Sequence, residues 1–288
     1  MQEDTPKARA AGAREVSTNQ TDIYDKLEEV VRKYALSSYL RPIAEHTREA
    51  FAQAEAFIRS FYERTLNEIP AGACPEPVER AGMTTQVVKR DDAYKVILDS
   101  GCGTGESTVN IALAHPDTPV IGIDKSVTRL TKADSGAIPP NAFLVRAELL
   151  DFWRLALDRV TASCWSIPYH ALYYPNPWPK QSEATRRFHL HPIFPTLLQL
   201  GDTIELRTNW EIYAREFAEA VQVAKKNSRD SIALVTLESL DDRVQNDSGD
   251  DITVVREPFS PELPITAFER KYKEARQQLW RVIVSKKI

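Results

Sequence analysis

The sequence predicts an α/β fold, a doubly wound sheet of seven strands with an N-terminal helical extension, and three observations carry that reading. After about residue 90, short apolar runs alternate with helical stretches: YKVILDS, PVIGID, AFLVRA, HALYYP, TIELRT, SIALVTL and QLWRVIVSK are the strand candidates. Such alternation is what a sheet with crossover helices requires. The first of these strands runs directly into Gly101-Cys102-Gly103-Thr104-Gly105, and a helical segment, ESTVNIALA, follows the turn. Before residue 70, by contrast, apolar residues recur at helical spacing. In doubly wound sheets ligands bind at the carboxyl ends of the strands, so the candidate site belongs there.

Residues 1–21 mix Thr, Ala, Arg and Glu without periodicity and read as a mobile tail. Residues 22–70 form the helical extension, with Ile23, Leu27, Val30, Val31 and Tyr34 on one stripe and Phe51, Phe57, Ile58, Phe61 and Leu66 on a second. The Pro- and Gly-bearing segment AGACPEPVERAG marks a linker over 71–90, and 91–288 is the main domain. No internal repeat interrupts it.

A chain of 288 residues with 42% hydrophobic content buries a full core, which excludes disorder of the whole. No apolar run approaches the roughly 20 residues that span a bilayer, and MQEDTPKARA lacks the pattern of a secretory signal. The expected setting is soluble and cytoplasmic, with no membrane. Cys74, Cys102 and Cys164 are scattered and odd in number, so reduced thiols are expected. With no CxxC pair and no ligand spacing among the five histidines, no metal is expected either, and His189 and His191 read as surface or loop residues. A net charge of −4 argues against binding nucleic acid over the whole surface and confines any RNA site to a local patch. From Thr266 to Ile288 seven Lys or Arg stand against two Glu, and Arg186-Arg187 form a second basic spot. Both suit phosphate contacts or solvated faces.

Glycines in the turn let the backbone bend tightly and approach a ligand closely. The next strand ends in Asp124, 19 residues after Gly105, where a carboxylate can accept hydrogen bonds from both hydroxyls of a ribose. That spacing serves either a dinucleotide or S-adenosylmethionine. The dinucleotide fingerprint wants glycine at the sixth position, where this chain has Glu106, so NAD is the weaker reading. Asp99 before the turn and Glu148 after AFLVRA add two acids at strand ends, suited to a cationic methionine portion and an adenine amino group respectively. Helix capping or solvation is their alternative role.

The stretch from Tyr173 carries a more specific pattern: Tyr173-Tyr174-Pro175-Asn176-Pro177-Trp178, Lys180, Arg186-Arg187, then Thr208-Asn209-Trp210, and near the C-terminus ITAFERKY with Thr266, Phe268 and Glu269. These four ordered motifs resemble the tRNA (guanine-N7)-methyltransferase family, and the resemblance spans about residues 93–288. It implies a class I methyltransferase sheet of Rossmann-like type, S-adenosyl-L-methionine as cofactor and tRNA as partner. By that resemblance Asp99, Gly101, Gly103, Gly105, Asp124 and Glu148 fall on cofactor-binding positions. Asn176, Lys180, Asn209, Thr266, Phe268 and Glu269 fall on substrate positions, with Asn176 the candidate catalytic residue. The helical extension lies outside the resemblance.

Two residues depart from the family pattern, because its aspartates in Pro-Asp-Pro-Trp and Thr-Asp-Trp are Asn176 and Asn209 here. Guanine N7 carries an in-plane lone pair and no proton, so its methylation needs positioning rather than a general base. An aspartate on the guanine edge accepts from N1–H and the amino group, whereas asparagine offers one acceptor and no charge. The departure leaves open a methyltransferase of the same lineage acting on another nucleobase or small molecule. It also leaves open a non-catalytic S-adenosylmethionine-binding subunit whose N-terminal helices serve a partner, either a helper subunit or a second copy. The motifs have structural readings too: a proline-stiffened loop around Trp178, an Asn176 turn, an Asn209 helix cap, and a Thr266–Glu269 capping box.

Overall fold

The computed structural model describes residues 15–35, 37, 39–66, 93–133, 135–238 and 252–286, with the side chains of 66, 135 and 228–238 excepted. The expected linker lies outside these residues, as does most of the expected tail. Two helices come first, α1 (Leu27–Ala35) and α2 (Glu45–Leu66). In α2 the buried residues Phe51, Ala54, Ile58, Phe61 and Tyr62 repeat every three to four positions and so fall on one stripe.

The apolar run YKVILDS divides into β1 (Tyr94–Lys95) and β2 (Ile97–Ser100), and the glycine turn leads into α3 (Glu106–Ala114). There follow β3 (Val120–Asp124), α4 (Val127–Leu130), β4 (Ala142–Arg146), α5 (Leu149–Thr161), β5 (Trp165–Ser166) and β6 (Tyr169–Tyr173). The chain continues through α6 (Phe194–Gln199), β7 (Thr203–Thr208) and α7 (Glu211–Glu238), and ends with β8 (Ile252–Phe259), α8 (Ala267–Glu274) and β9 (Leu279–Lys286).

Seven strands pair in the order β4-β3-β2-β6-β7-β9-β8, while β1 and β5 make a separate two-stranded ladder. The first five are parallel and the last two pairings are antiparallel. The order reverses between β2 and β6, which sets the crevice of a doubly wound, Rossmann-like sheet at the carboxyl ends of those two strands. Successive residues of β2 face opposite sides, Ile97 into a small core with Ile111 and Ala112 of α3, and Leu98 into the larger one. That larger core also takes Leu27 and Val31 of α1, Phe51 and Ile58 of α2, Trp153 of α5 and Phe217 of α7. The N-terminal helices therefore share the main hydrophobic core.

Three expectations are corrected. SIALVTL lies within α7, and the strand beyond the antiparallel turn of the sheet is Ile252–Phe259. A short apolar run with β-branched residues fits a buried strand and a helix alike, and here the preceding helical register simply continues. His189 is buried rather than superficial. Cys164 is disulfide-bonded, whereas Cys102 is a buried free thiol.

Candidate functional site

The carboxyl ends of β2 and β3 build the first half of the site. Gly101, Gly103 and Gly105 have φ of 82°, 62° and 83°, a region that side chains with a Cβ enter at a cost. The turn is tied to the neighbouring strand end by Gly101 N–H donating to Ile123 O at 2.7 Å and Gly103 N–H donating to Asp124 Oδ2 at 3.1 Å. A Cβ added at Gly101 or Gly103 would meet nothing within 4 Å, so the face of the turn is open to a ligand. Close packing of helix against strand, which a dinucleotide fingerprint assigns to a glycine at the sixth position, is provided from the strand side. A Cβ at Gly122 would sit 2.3 Å from Thr108 Oγ1 of α3.

Asp99 is buried and its Oδ2 accepts from Ser107 and Thr108 hydroxyls, both at 2.6 Å. Burial pushes its carboxyl up to about 6, although those two hydroxyls and the positive charge of Arg207 pull it down. Asp124 ends β3 with Oδ1 accepting from Ser126 N–H at 2.7 Å and Oδ2 lying 3.1 Å from the half-exposed Arg129. Glu148 stands at the N-cap of α5 without a side-chain cap bond, and its N–H donates to Thr47 Oγ1 of α2 at 3.1 Å. These three acids stand at or just after the carboxyl ends of β2, β3 and β4, three neighbouring strands, and Asp124 touches the glycine turn itself.

The second half follows β6. Tyr174 and Trp178 have φ of 53° and 45°, which bends the proline-rich loop sharply away from the strand. Asn176 is exposed, and its Oδ1 accepts from Trp178 N–H at 3.3 Å, the local turn its sequence suggested. Lys180 is exposed at the head of a 3-10 turn (Gln181–Arg186), and Arg186 stacks on Trp178 at 3.5 Å from the ring centre. Asn209 is half-buried between β7 and α7, where Thr208 Oγ1, not Asn209, accepts the N–H of Trp210 at 3.1 Å.

Thr266 caps α8 by accepting Glu269 N–H at 3.0 Å. Glu269 itself is fully buried, its Oε1 taking Arg207 at 2.7 Å and the Tyr174 hydroxyl at 3.2 Å, its Oε2 taking Ile265 N–H at 2.8 Å. Phe268 is half-exposed and its ring stacks 5.8 Å from that of Tyr174. Arg270 pairs with Glu106 at the start of α3, and Asn110 of α3 donates to Ile265 O at 3.3 Å, which holds α8 beside the glycine turn. The basic excess near the C-terminus is thus partly consumed internally, since Arg281 also pairs with Glu257.

Two buried clusters escaped the sequence reading. Arg207 bridges Glu269 and Glu205 (Nε to Oε1, 2.7 Å) beneath the ring of Tyr173, while Tyr169 donates to Glu205 and lies 2.6 Å from the Tyr173 hydroxyl. The signal for it was present: Glu205 and Arg207 stand two apart in an apolar strand and so share one face. Arg187, read from the sequence as suited to phosphate contact or a solvated face, is wholly buried. It donates to Glu216 at 2.5 Å, to Gln20 Oε1 at 2.9 Å and to Trp178 O at 2.8 Å, so it fastens the proline loop to α7. Its long-range partners are invisible in sequence, and Arg186 alone of the pair remains exposed.

Among the described residues no group of three or more His, Cys, Asp or Glu is placed to hold a metal, and no helix is long and apolar enough to cross a membrane. A family model described as "Putative methyltransferase" matches residues 93–282. The tRNA (guanine-N(7)-)-methyltransferase of Thermotoga maritima is 29% identical over 131 residues, which cover 44% of this chain and 41% of that protein. The enzyme of the same name from Stutzerimonas stutzeri is 30% identical over 128 residues, 43% of this chain and 52% of that one. That from Ectopseudomonas mendocina is 26% identical over 184 residues, 62% and 68% respectively. The chain spans about half the length of the first two of these relatives. Among solved structures, one described as "Structure of an Antibiotic Related Methyltransferase" aligns with a TM-score of 0.41 at 13% identity, covering 69% of this chain and 96% of the other. With its glycine turn, strand-end acids and the loop after β6 all inside the matched span, the chain belongs to this methyltransferase family.

Proposed function

We propose that the protein is an S-adenosyl-L-methionine-dependent methyltransferase that transfers a methyl group to N7 of guanine in tRNA, in the cytoplasm. The observation that carries the reading is the juxtaposition at one sheet edge of an open glycine turn, the acids Asp99 and Asp124, and the loop Pro175–Lys180 that leaves β6, the strand beside β2. S-adenosylmethionine, when bound, supplies a methyl group on a cationic sulfur.

The residues present fit such a cofactor. Gly101 and Gly103 allow its close approach, Asp124 can accept ribose hydroxyls once Arg129 swings aside, and Glu148 lies at the next strand end. Asp99 brings negative charge near the methionine portion, and its buried position strengthens that attraction. Guanine N7 attacks without losing a proton, so the chain's task toward the base is to hold its plane and edge. Phe268, backed by the ring of Tyr174, offers exposed aromatic surface for the plane; Asn176, Asn209 and Lys180 offer polar groups for the edge. Thr266 and Glu269 act beneath them, shaping α8 rather than reaching solvent. Arg186 with Trp178 presents a cation and a ring to an RNA strand.

Incubation with methyl-labelled S-adenosylmethionine and unmodified tRNA, followed by nucleoside analysis, tests this. 7-Methylguanosine is the expected product. Label on another nucleoside or on a small molecule would establish the second reading, which the asparagines at 176 and 209 favour, and absence of any transfer despite cofactor binding would establish the non-catalytic one.

A further inference from the structure

The proline loop after β6 is held from outside. Pro175, Pro177 and Pro179 have no backbone N–H to give to a neighbouring strand or turn, so the path of the loop depends on donors that reach its carbonyls. Three consecutive carbonyls find them: Arg187 Nε donates to Pro177 O at 3.2 Å, Arg187 Nη2 to Trp178 O at 2.8 Å, and the Thr18 hydroxyl to Pro179 O at 2.6 Å. Thr18 lies in residues 15–21, the described part of the stretch expected to be a mobile tail.

That segment is fastened on both sides of Thr18. Val16 packs against the main core. Gln20 is buried, with Nε2 donating to Glu216 Oε1 at 2.6 Å and Oε1 accepting from Arg187 Nη2 at 2.9 Å. Thr18 Oγ1 also accepts Gln20 N–H at 2.9 Å, which leaves its single hydrogen for the Pro179 carbonyl. Gln20 acts at one remove, because the two hydrogens on Arg187 Nη2 are divided between Gln20 Oε1 and Trp178 O. We infer that residues 16–20 are a brace that sets the position of the loop carrying Asn176 and Lys180, and that Thr18 and Gln20 are positioning residues for the methyl acceptor. The inference rests on the reading of that loop as the acceptor side of the site. Neither residue makes a hydrogen bond to the glycine turn or to Asp124 among the described residues, so cofactor binding should not depend on the brace.

The test uses the full chain labelled with 5-fluorotryptophan, the Trp178 ¹⁹F signal being the one lost in Trp178→Phe. Thr18→Val keeps the shape of an exposed side chain and removes its hydroxyl, so the thermal melt should be preserved. The Trp178 signal should shift or broaden while those of the other tryptophans stay in place. The KM for tRNA should rise about fivefold, the order of one lost hydrogen bond, with affinity for S-adenosylhomocysteine unchanged. Thr18→Ser, which keeps the hydroxyl, should restore both readouts. Gln20→Leu acts through Arg187 and should raise the KM at least as far, with a lower melting temperature. An unmoved Trp178 signal or an unchanged KM in both Thr18→Val and Gln20→Leu would overturn the inference. So would a loss of S-adenosylhomocysteine affinity in proportion to that of tRNA, which would mark a general loosening. If the wild-type chain transfers no methyl to tRNA, the proposed acceptor fails, and the Trp178 signal alone decides the brace.

Discussion

Two arginines flank the proline loop after β6, and they live in different electrostatic company. Arg187 is wholly buried and faces one carboxylate, Glu216, with Gln20 and the carbonyls of Pro177 and Trp178 completing its shell. That cluster is neutral overall, because His189 is uncharged. Arg207 shares itself between Glu205 and Glu269, with Asp99 near enough for its charge to be felt, so the second cluster keeps a surplus of negative charge. A neutral, saturated cluster serves to fix a loop. A cluster with uncompensated charge at a strand's carboxyl end costs stability and repays it only if a cation binds there, as a sulfonium cofactor would. The same residue type thus does structural work on one side of the loop and site-building on the other.

Breaking the neutral cluster should have the largest effect. Arg187→Met leaves Glu216 charged in the core without its cation, held only by hydrogen bonds from His189, Gln20 and Tyr24, with an expected loss of about 3–5 kcal/mol in urea unfolding. Replacing both partners, Arg187→Met with Glu216→Leu, removes the charge but strands the donors of Gln20, Tyr24 and His189, and should recover only part of it. Burial alone would raise the Glu216 pKa, but the hydrogen bond from His189 and the charge and hydrogen bond of Arg187 bring it down to about 2. Its folded value lies below the ordinary 4.5, so the stability it contributes is present above pH 4.5 and fades as pH falls toward 2. In the single variant that acid-side loss should shrink. An unchanged acid limb would show that the cluster is not held by charge.

Arg207→Met strikes the second cluster and should cost less stability, about 2–3 kcal/mol, because Arg207 is slightly solvent-exposed and its carboxylates keep tyrosine hydroxyl partners. Its effect on methyl transfer should be disproportionate, since α8 is anchored through Glu269. Arg207→Lys, which cannot span both carboxylates, should fall between. If the two arginine variants lost stability and activity in the same proportion, the contrast between the clusters would collapse.

The contrast also explains what the sequence disclosed. The glycine turn, α3, Asp124 and the Thr266 cap are local patterns set by neighbours within a few residues, and they read directly. Alternating apolar runs gave most of the strands, but Ile252–Phe259 alternates only weakly and lies at the sheet's edge, where one face meets solvent. SIALVTL misled because composition cannot reveal that a helix already running from Glu211 continues through it. The arginine clusters were hidden for another reason. Gln20, Arg187 and Glu216 are brought together across nearly 200 positions of chain, and nothing near Arg187 distinguishes a buried guanidinium from a phosphate-binding one.

Asp99 offers a smaller and oppositely signed test. Its folded pKa, about 6, lies above the ordinary 3.8, so burial of this charge lowers stability as pH rises from 4 through 6 and leaves that deficit at neutral pH. Asp99→Asn keeps an acceptor for Ser107 and Thr108 and removes the charge. Unfolding at pH 7 should therefore cost about 1–3 kcal/mol more than in the wild type, a two-unit shift setting the upper end. Cofactor affinity, measured calorimetrically, should fall at the same time. In the wild type it should also weaken below pH 6, a dependence the variant should lack. A variant that binds the cofactor as tightly as wild type would remove Asp99 from the site.

Asn176→Asp should have the smallest effect and the most informative sign. The residue is exposed and its Oδ1 accepts from Trp178 N–H, a role aspartate fills equally, so the loop and the melting temperature should not change. If Asn176 faces guanine, an ionised acceptor toward N1–H and the amino group makes hydrogen bonds about twice as strong, and tRNA methylation should rise by about fivefold for roughly 1 kcal/mol. If the natural substrate presents an acceptor at that edge, the new carboxylate opposes a lone pair and transfer to that substrate should drop by a similar factor. Rates are compared at saturating cofactor, with tRNA as acceptor. Equal rates would place Asn176 away from the base and return it to the turn its geometry already makes, leaving Asn209, half-buried at the end of β7, as the residue through which the edge of the base is read.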